Sequence, residues 1–406
     1  MIRTLLTRAA VVVAAAGAAT VLTAAPAAAH GADAPDGTDY RTTTTGVAPA
    51  RPGLEVRVVE AGARLELTNR TGRAVEVIGY SGEPYLRVGP DGVFENSRSP
   101  ATYLNRTLAG DTALPAEADP AAPPSWRRVA DGPTVRWHDQ RALWQESGPP
   151  AAVRAAPDRE HRVRDWTVPL RDGADPVVIG GTLDWVPPPD AYTWWTVTIV
   201  GLLAVGALGL VAAASATGGR ALSALGALLV VGGAVAVVYP VGRELDAGAQ
   251  GVGGVVLGLL SGQIWSLLTG LGAIAAGWYA LARRTAADFP VALAGACLAL
   301  FAGASNAAVF ARSIAPVPWS PEIARVMVAT VLITGAGATA AGVLRLHAAS
   351  RAAARTPRVE DAGDRGATDR GAADRGAADR GAADRGATDR GAPGRGAPGR
   401  GATAAG

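Results

Sequence analysis

The chain contains no lysine, and all 38 of its basic residues are arginine. Alongside 52 glycines and heavy alanine and proline use, that bias fits a GC-rich coding background better than an arginine-specific binding surface. Cysteine is nearly absent too. Cys297 is the only one, so no disulfide framework and no cysteine-based metal site forms within one chain. It stands in an apolar run, which suits a small buried or lipid-facing residue. An excess of one charge is also missing: the formal net charge is only +3, and charge gives no reason to expect a nucleic-acid partner. Catalytic signatures are missing as well. There is no G-x-S-x-G, no H-E-x-x-H and no paired-carboxylate motif, and Glu83, Asp91, Glu95 and Asp139 are scattered. The expectation is a protein that is not an enzyme.

A mean hydropathy of +0.18 is high for a soluble chain and low for a pure membrane bundle. Mixed compartments follow. Residues 1–29 read as a signal peptide: Arg3 and Arg8, then an alanine-rich apolar stretch, then Ala27-x-Ala29 as a small-residue cleavage pattern. Cleavage would leave His30 at the amino terminus.

Residues 30–190 are expected to form an exported all-β domain, an immunoglobulin-like sandwich. The segments LEVRVVE, RLELTNR and AVEVIGY alternate with period two. Turns are expected at Asn69–Gly72, at Pro90–Gly92 and at Arg171–Gly173. The turn at Pro90 makes YLRVGPDGVFEN a hairpin, and DWTVPL pairs with VVIGGTLDWVP. Residues 30–45 read as a polar extended arm, and residues 109–124 as a surface loop. Asn69 and Asn105 start N-x-T triplets, read first as turn and loop chemistry and second as glycan acceptors.

Residues 191–347 are expected to be a helical transmembrane bundle of about five spans, from runs at 194–214, 221–241, 263–282, 291–311 and 323–344. Each is near the roughly 20 residues a span needs. Residues 251–260 either extend the third span or form a short interfacial piece. With the β domain outside, Arg220, Arg283, Arg284, Arg345, Arg351, Arg355 and Arg358 fall inside. The outer loops mix Arg243 with Glu244 and Asp246, and Arg312 with Glu322 and Arg325. That matches the positive-inside rule. No Asp, Glu or His stands mid-span, which weighs against an ion-coupled transporter. Gln263, Asn306, Arg243, Glu244 and Arg312 gather near the outer face. Interfacial anchoring is the plain reading of that group; a polar lid beneath the β domain is the sharper one.

Residues 348–406 form the tail, and after Arg358 it repeats DRGAA and DRGAT and then APGRG. Balanced charge and no apolar face predict a disordered cytoplasmic tail, and the lack of aromatics argues against RNA binding.

Two binding chemistries are on offer outside. His30 supplies an amine and an imidazole to a copper ion, with His138, Asp139 and His161 as further ligands, since imidazole suits Cu(II). Hydrogen-bonded surface histidines are the plain alternative. Trp126, Trp137, Trp144, Trp166 and Trp185, with Tyr80, Tyr85 and Tyr103, would stack on cell-wall sugars if exposed, and pack the core if not.

The segments GYSGEPYLRVGPDGVFENSRSPATYLN, VRWHDQRALW and LDWVPPP resemble a family of membrane proteins of GC-rich Gram-positive bacteria. The resemblance covers about residues 30–344 and implies an exported β domain plus about five transmembrane helices, with no activity attached. Further histidines of that family's W-H-D stretch are replaced here by Gln140 and Leu143, which weakens a metal site. A looser likeness to periplasmic copper-binding proteins of copper resistance rests on the terminal histidine and the expected sandwich. The expectation is a multi-pass cell-membrane protein. Its partners would be membrane lipids and an envelope protein or cell-wall ligand; copper handling and small-molecule transport are the alternatives.

Overall fold

A computed structural model describes residues 35–355. The expected signal peptide, His30 and the repeats lie outside them; of the tail expected from residue 348, residues 348–355 instead continue the last helix.

Ten strands among the described residues build two antiparallel sheets. The larger has the order β1-β10-β9-β4-β5-β6-β7 and the smaller β2-β3-β8. The expected alternating segments become β2 (Leu54–Val59), β3 (Arg64–Asn69) and β4 (Val75–Ile78). The expected hairpin is β5 (Pro84–Gly89) with β6 (Gly92–Asn96). The last pair is β9 (His161–Asp172) with β10 (Asp175–Trp185). Leu65 and Leu67 of the small sheet share one core with Val77, Val88, Val168 and Ile179 of the large one. Two layers closed on a single core follow from that alternation.

The expected arm ends sooner than its composition suggests. β1 (Tyr40–Ala48) pairs with β10 from Tyr40↔Trp185 to Ala48↔Val178. Its YRTTTT run lacks apolar alternation, but β-branched threonine suits a strand whose ladder a neighbour completes. β7 (Trp126–Ala130) and β8 (Thr134–Trp137) also go beyond the sequence reading. Their arginines hide the period.

Among the described residues, five helices are long and apolar enough to cross a membrane: Ala191–Leu210, Ala216–Asp246, Ile264–Leu281, Asp288–Phe310 and Pro321–Ala354. These are the first to fifth apolar helices below. The chain's first compact unit ends at Ser350, and of the second only the final turn of the fifth helix is described. Gly251–Gly262 is a separate short helix, broken from the third at Gln263 (φ −121°, ψ 15°). The fourth helix is α-helical to Cys297, widens to π geometry over Leu298–Gly303, and tightens to 3-10 geometry over Ala304–Phe310.

The helices meet backbone to backbone. A Cβ built on Gly226 would lie 2.7 Å from the Gly277 carbonyl oxygen, so only glycine lets the second and third helices approach this closely. At the end away from the sheets, Arg345 Nε donates to Asp288 Oδ1 at 2.6 Å and its Nη1 to the Gly218 carbonyl at 3.3 Å. That one buried guanidinium ties the second, fourth and fifth helices together.

Candidate functional site

The sheets and the helices are joined by a collar of polar groups. Pro35–Asp39 runs as a strap across the junction before β1 begins. Thr38 and Ile314 exchange two backbone hydrogen bonds, 3.1 and 2.8 Å long. The buried Asp39 carboxylate accepts from Arg312 Nη1 at 2.7 Å, from the Ser313 N–H at 3.0 Å and from Ser313 Oγ at 3.2 Å. The Asp39 carbonyl accepts from the Val186 N–H at 2.8 Å, so both ends of the sheet domain meet here. Gly37 (φ +126°) permits the crossing; a Cβ there would sit 2.9 Å from the Ile314 oxygen.

Two further arginines complete the collar. Arg243 is buried and donates to Asn306 Oδ1 and to the Pro35 carbonyl, both at 3.2 Å. Arg325 donates from Nε to the Val309 carbonyl at 3.0 Å and from Nη2 to the Arg312 carbonyl at 2.8 Å. It thereby caps the carbonyl end of the fourth helix, where intrahelical partners run out.

A second bridge comes from the turn after β2. Glu60 (φ 55°), Ala61 (φ 53°) and Gly62 (φ 100°) are consecutive left-handed residues. The strain is of order 1–3 kcal/mol per non-glycine residue and persists only where surrounding contacts hold it. The Ala61 N–H donates to Asp246 Oδ2 at 2.8 Å, at the end of the second helix. Burial pushes the Glu60 carboxyl above its ordinary range, against the pull of Arg64 and Arg136. Glu60 Oε2 finds no hydrogen-bond partner among the described residues. Glu66, one strand along, goes the other way. Burial would raise it too, but Arg57 at 2.6 Å and Arg136 at 2.5 Å hold it low. Arg136 also donates to the Gly248 carbonyl beyond the second helix.

Beside the collar lies a cleft of about 580 Å³. Its walls include Pro35, Gly37 and Thr38 of the strap, Ala61–Ala63 of the strained turn, and Leu108, Leu143 and Trp144. Tyr40 and Trp144 stack with centroids 5.9 Å apart. The volume is within the range of small-molecule sites.

The sequence-predicted ligand residues are placed otherwise. His138 is buried: Nδ1 lies 2.8 Å from the Ala63 carbonyl, and Nε2 accepts from Arg64 Nε at 3.1 Å. Asp139 accepts from Trp137 Nε1 at 2.9 Å and from Arg141 at 2.7 and 2.8 Å. His161 starts β9 on the other sheet, its Nε2 2.7 Å from the Ala156 carbonyl. No three metal-ligating side chains gather among the described residues. His30 lies outside them. Of the aromatics, Trp137, Trp166, Trp185 and Tyr85 are buried. Asn69 is buried too, donating to the Arg73 and Val88 carbonyls at 2.7 Å each, as turn chemistry requires.

Of the five residues of the expected lid, Arg243 and Arg312 bond to Pro35 and Asp39. Asn306 bonds to Arg243 within the helices, and Gln263 and Glu244 are not among the collar's contacts described above. Asp39, Ser313 and Glu60 were not legible as junction residues. Asp39 meets Ser313 across 274 positions of the chain, and no local spacing marks it. Comparison with family models, curated proteins and solved structures returns no match for this chain.

Proposed function

We propose that this is a multi-pass membrane-anchored envelope protein whose β domain lies outside, binds a small ligand in the junctional cleft, and passes the binding event to the helices. One observation supports this above all. The Pro35–Thr38 wall of the cleft belongs to the strap that is hydrogen-bonded to Arg243 and Ile314. A ligand that shifts the wall acts directly on the ends of the second and fourth helices. Coupling then needs no long pathway, since one short element borders both sites. The immunoglobulin-like character of the domain belongs to this reading as well, resting on two antiparallel sheets around one core.

Hydrogen–deuterium exchange on the full-length protein in lipid nanodiscs tests it, with envelope extract fractions as ligand source. The expected result is slower exchange in 35–40 and 107–111 together with 312–316. A ligand that protects the cleft but leaves 312–316 unchanged refutes the coupling. No protection by any fraction refutes the binding. Orientation is tested separately. With Cys297→Ala as background, Asp131→Cys should label from outside intact cells and His347→Cys only after permeabilisation. The reverse pattern inverts the topology.

A further inference from the structure

Among the described residues, no arginine lines the junctional cleft, and Asp111 is its only charged lining side chain. An anionic group would therefore meet no cation inside the cleft and one carboxylate at its edge. Its polar side chains are largely committed to the protein. Thr42 Oγ1 donates to the Ala142 carbonyl at 3.1 Å, and Thr107 Oγ1 donates to Asp111 Oδ1 at 3.0 Å. Thr38 Oγ1 accepts from the Tyr40 N–H at 3.1 Å, and Gln145 Nε2 donates to the Leu108 carbonyl at 3.3 Å. A polyol entering this space would give up water and find few replacement donors, at about 1–3 kcal/mol for each group left unpaired. A hydrocarbon chain loses nothing of the kind and gains from Leu108, Leu143, Leu183 and the Trp144 ring.

Position points the same way. Three wall segments are bonded to the ends of apolar helices: Pro35 to Arg243, Thr38 to Ile314, and Ala61 to Asp246. With the five helices in a bilayer, the cleft stands at the level where the acyl region gives way to headgroups. A membrane lipid is the nearest and most concentrated source of hydrocarbon.

We propose that the cleft takes an acyl chain of a membrane phospholipid, drawn up from the leaflet beneath the sheet domain while its headgroup stays outside the apolar walls. This rests on the ligand-binding reading above and narrows its ligand class. The lipid chain would hold the strap against Arg243 and Ile314, so occupancy reports on the leaflet at the protein's own boundary.

The test uses the full-length protein and a zwitterionic phospholipid with a diazirine at the end of one acyl chain. After irradiation, adducts are mapped by mass spectrometry. The expected result is labelling of the peptides holding 107–111 and 143–145 as well as the apolar helices. Leu108→Arg should lower cleft labelling at least about ten-fold, since a charge then lines an apolar space, and leave helix labelling unchanged. Ala109→Trp, at an exposed position, should lower it too by filling the mouth, and it serves if Leu108→Arg fails to fold. Helix labelling with bare cleft peptides in the parent protein overturns the proposal, as does cleft labelling that survives both variants. A parallel exchange experiment with a water-soluble envelope fraction separates the two readings. Cleft protection by that fraction without acyl labelling overturns the lipid assignment and leaves ligand binding standing; absence of both overturns both.

Discussion

The two halves of this molecule differ in how closely their backbones approach. The sheet domain buries large side chains: Leu65, Leu67, Val88 and Ile179 fill the space between its layers. The helical half buries large side chains too, Leu225, Leu229, Leu298 and Phe310 among them, but it adds many alanines and close backbone contacts, with Gly226 against Gly277 and Gly295 against Gly335. Water explains the difference. Around the sheets, burying apolar area is the driving force, so volume is rewarded. Between helices in lipid that force is absent, and close backbone approach adds to side-chain packing. The collar belongs to neither regime and is made of charges, carbonyls and a strained turn.

Four tests break or sharpen that contrast. The largest effect is expected from Leu67→Ala, which empties a fully buried site in the sheet core. It should cost about 2–5 kcal/mol in chemical unfolding of the full chain. A loss below 1 kcal/mol would show that the two sheets do not share a tight core. Next comes Gly226→Leu, which pushes a side chain into the Gly277 carbonyl and should cost about 1–3 kcal/mol. Gly272→Leu is its control, because a Cβ there meets nothing within 4 Å. Equal effects at the two glycines would refute packing by close approach.

Asp39→Asn probes the collar. It keeps the shape but removes the charge that Arg312 and Ser313 answer. The Arg312 side chain is 51% exposed, so solvent screens that pair and most of the loss should come from the buried serine bonds. About 1–3 kcal/mol of local opening is expected, read as faster exchange in 312–316 with the Arg345 end unchanged. Uniform loosening along the helices would show that the collar is not a local device.

The smallest effect concerns pH. Glu66 is held low, so its contribution to stability is present above the ordinary carboxylate range and is lost as pH falls through its lowered value. Glu60 is pushed up, so the folded state favours its protonated form and disfavours it once ionised. At neutral pH, Glu60→Gln should therefore raise the unfolding midpoint slightly and Glu66→Gln should lower it. Both differences should close in acid. Matching signs at neutral pH would contradict the opposed environments.

What was legible in the sequence follows the same divide. Helices long enough to cross a bilayer announce themselves by length and apolarity, and β2 to β6 by alternation. β1, β7 and β8 did not, because threonine and arginine carry no apolar period and their strand character comes from neighbours far along the chain. The polar group near the sheet-side helix ends was visible in Arg243, Asn306 and Arg312. Its counterpart was not. Asp39 looks like any residue of a polar segment until folding brings Ser313 beside it. The histidines show the reverse case. His138 and Asp139 suggest ligands by type, yet their hydrogen bonds go to Ala63, Arg64, Trp137 and Arg141.

The pairing of β1 with β10 has one more consequence, for how this protein can change over time. The first and last strands of the sheet domain are neighbours, and both reach the helices at the Tyr40↔Trp185 end. The turns at Gly72, Pro90–Gly92 and Gly173 lie at the opposite end of the ladders. Insertions at those distal turns leave the collar's geometry alone, whereas a single added residue in Pro35–Asp39 or Glu60–Gly62 shifts it. The domain is in effect a cassette with one fixed edge and one free edge. Lineages can remodel the free edge without renegotiating the attachment.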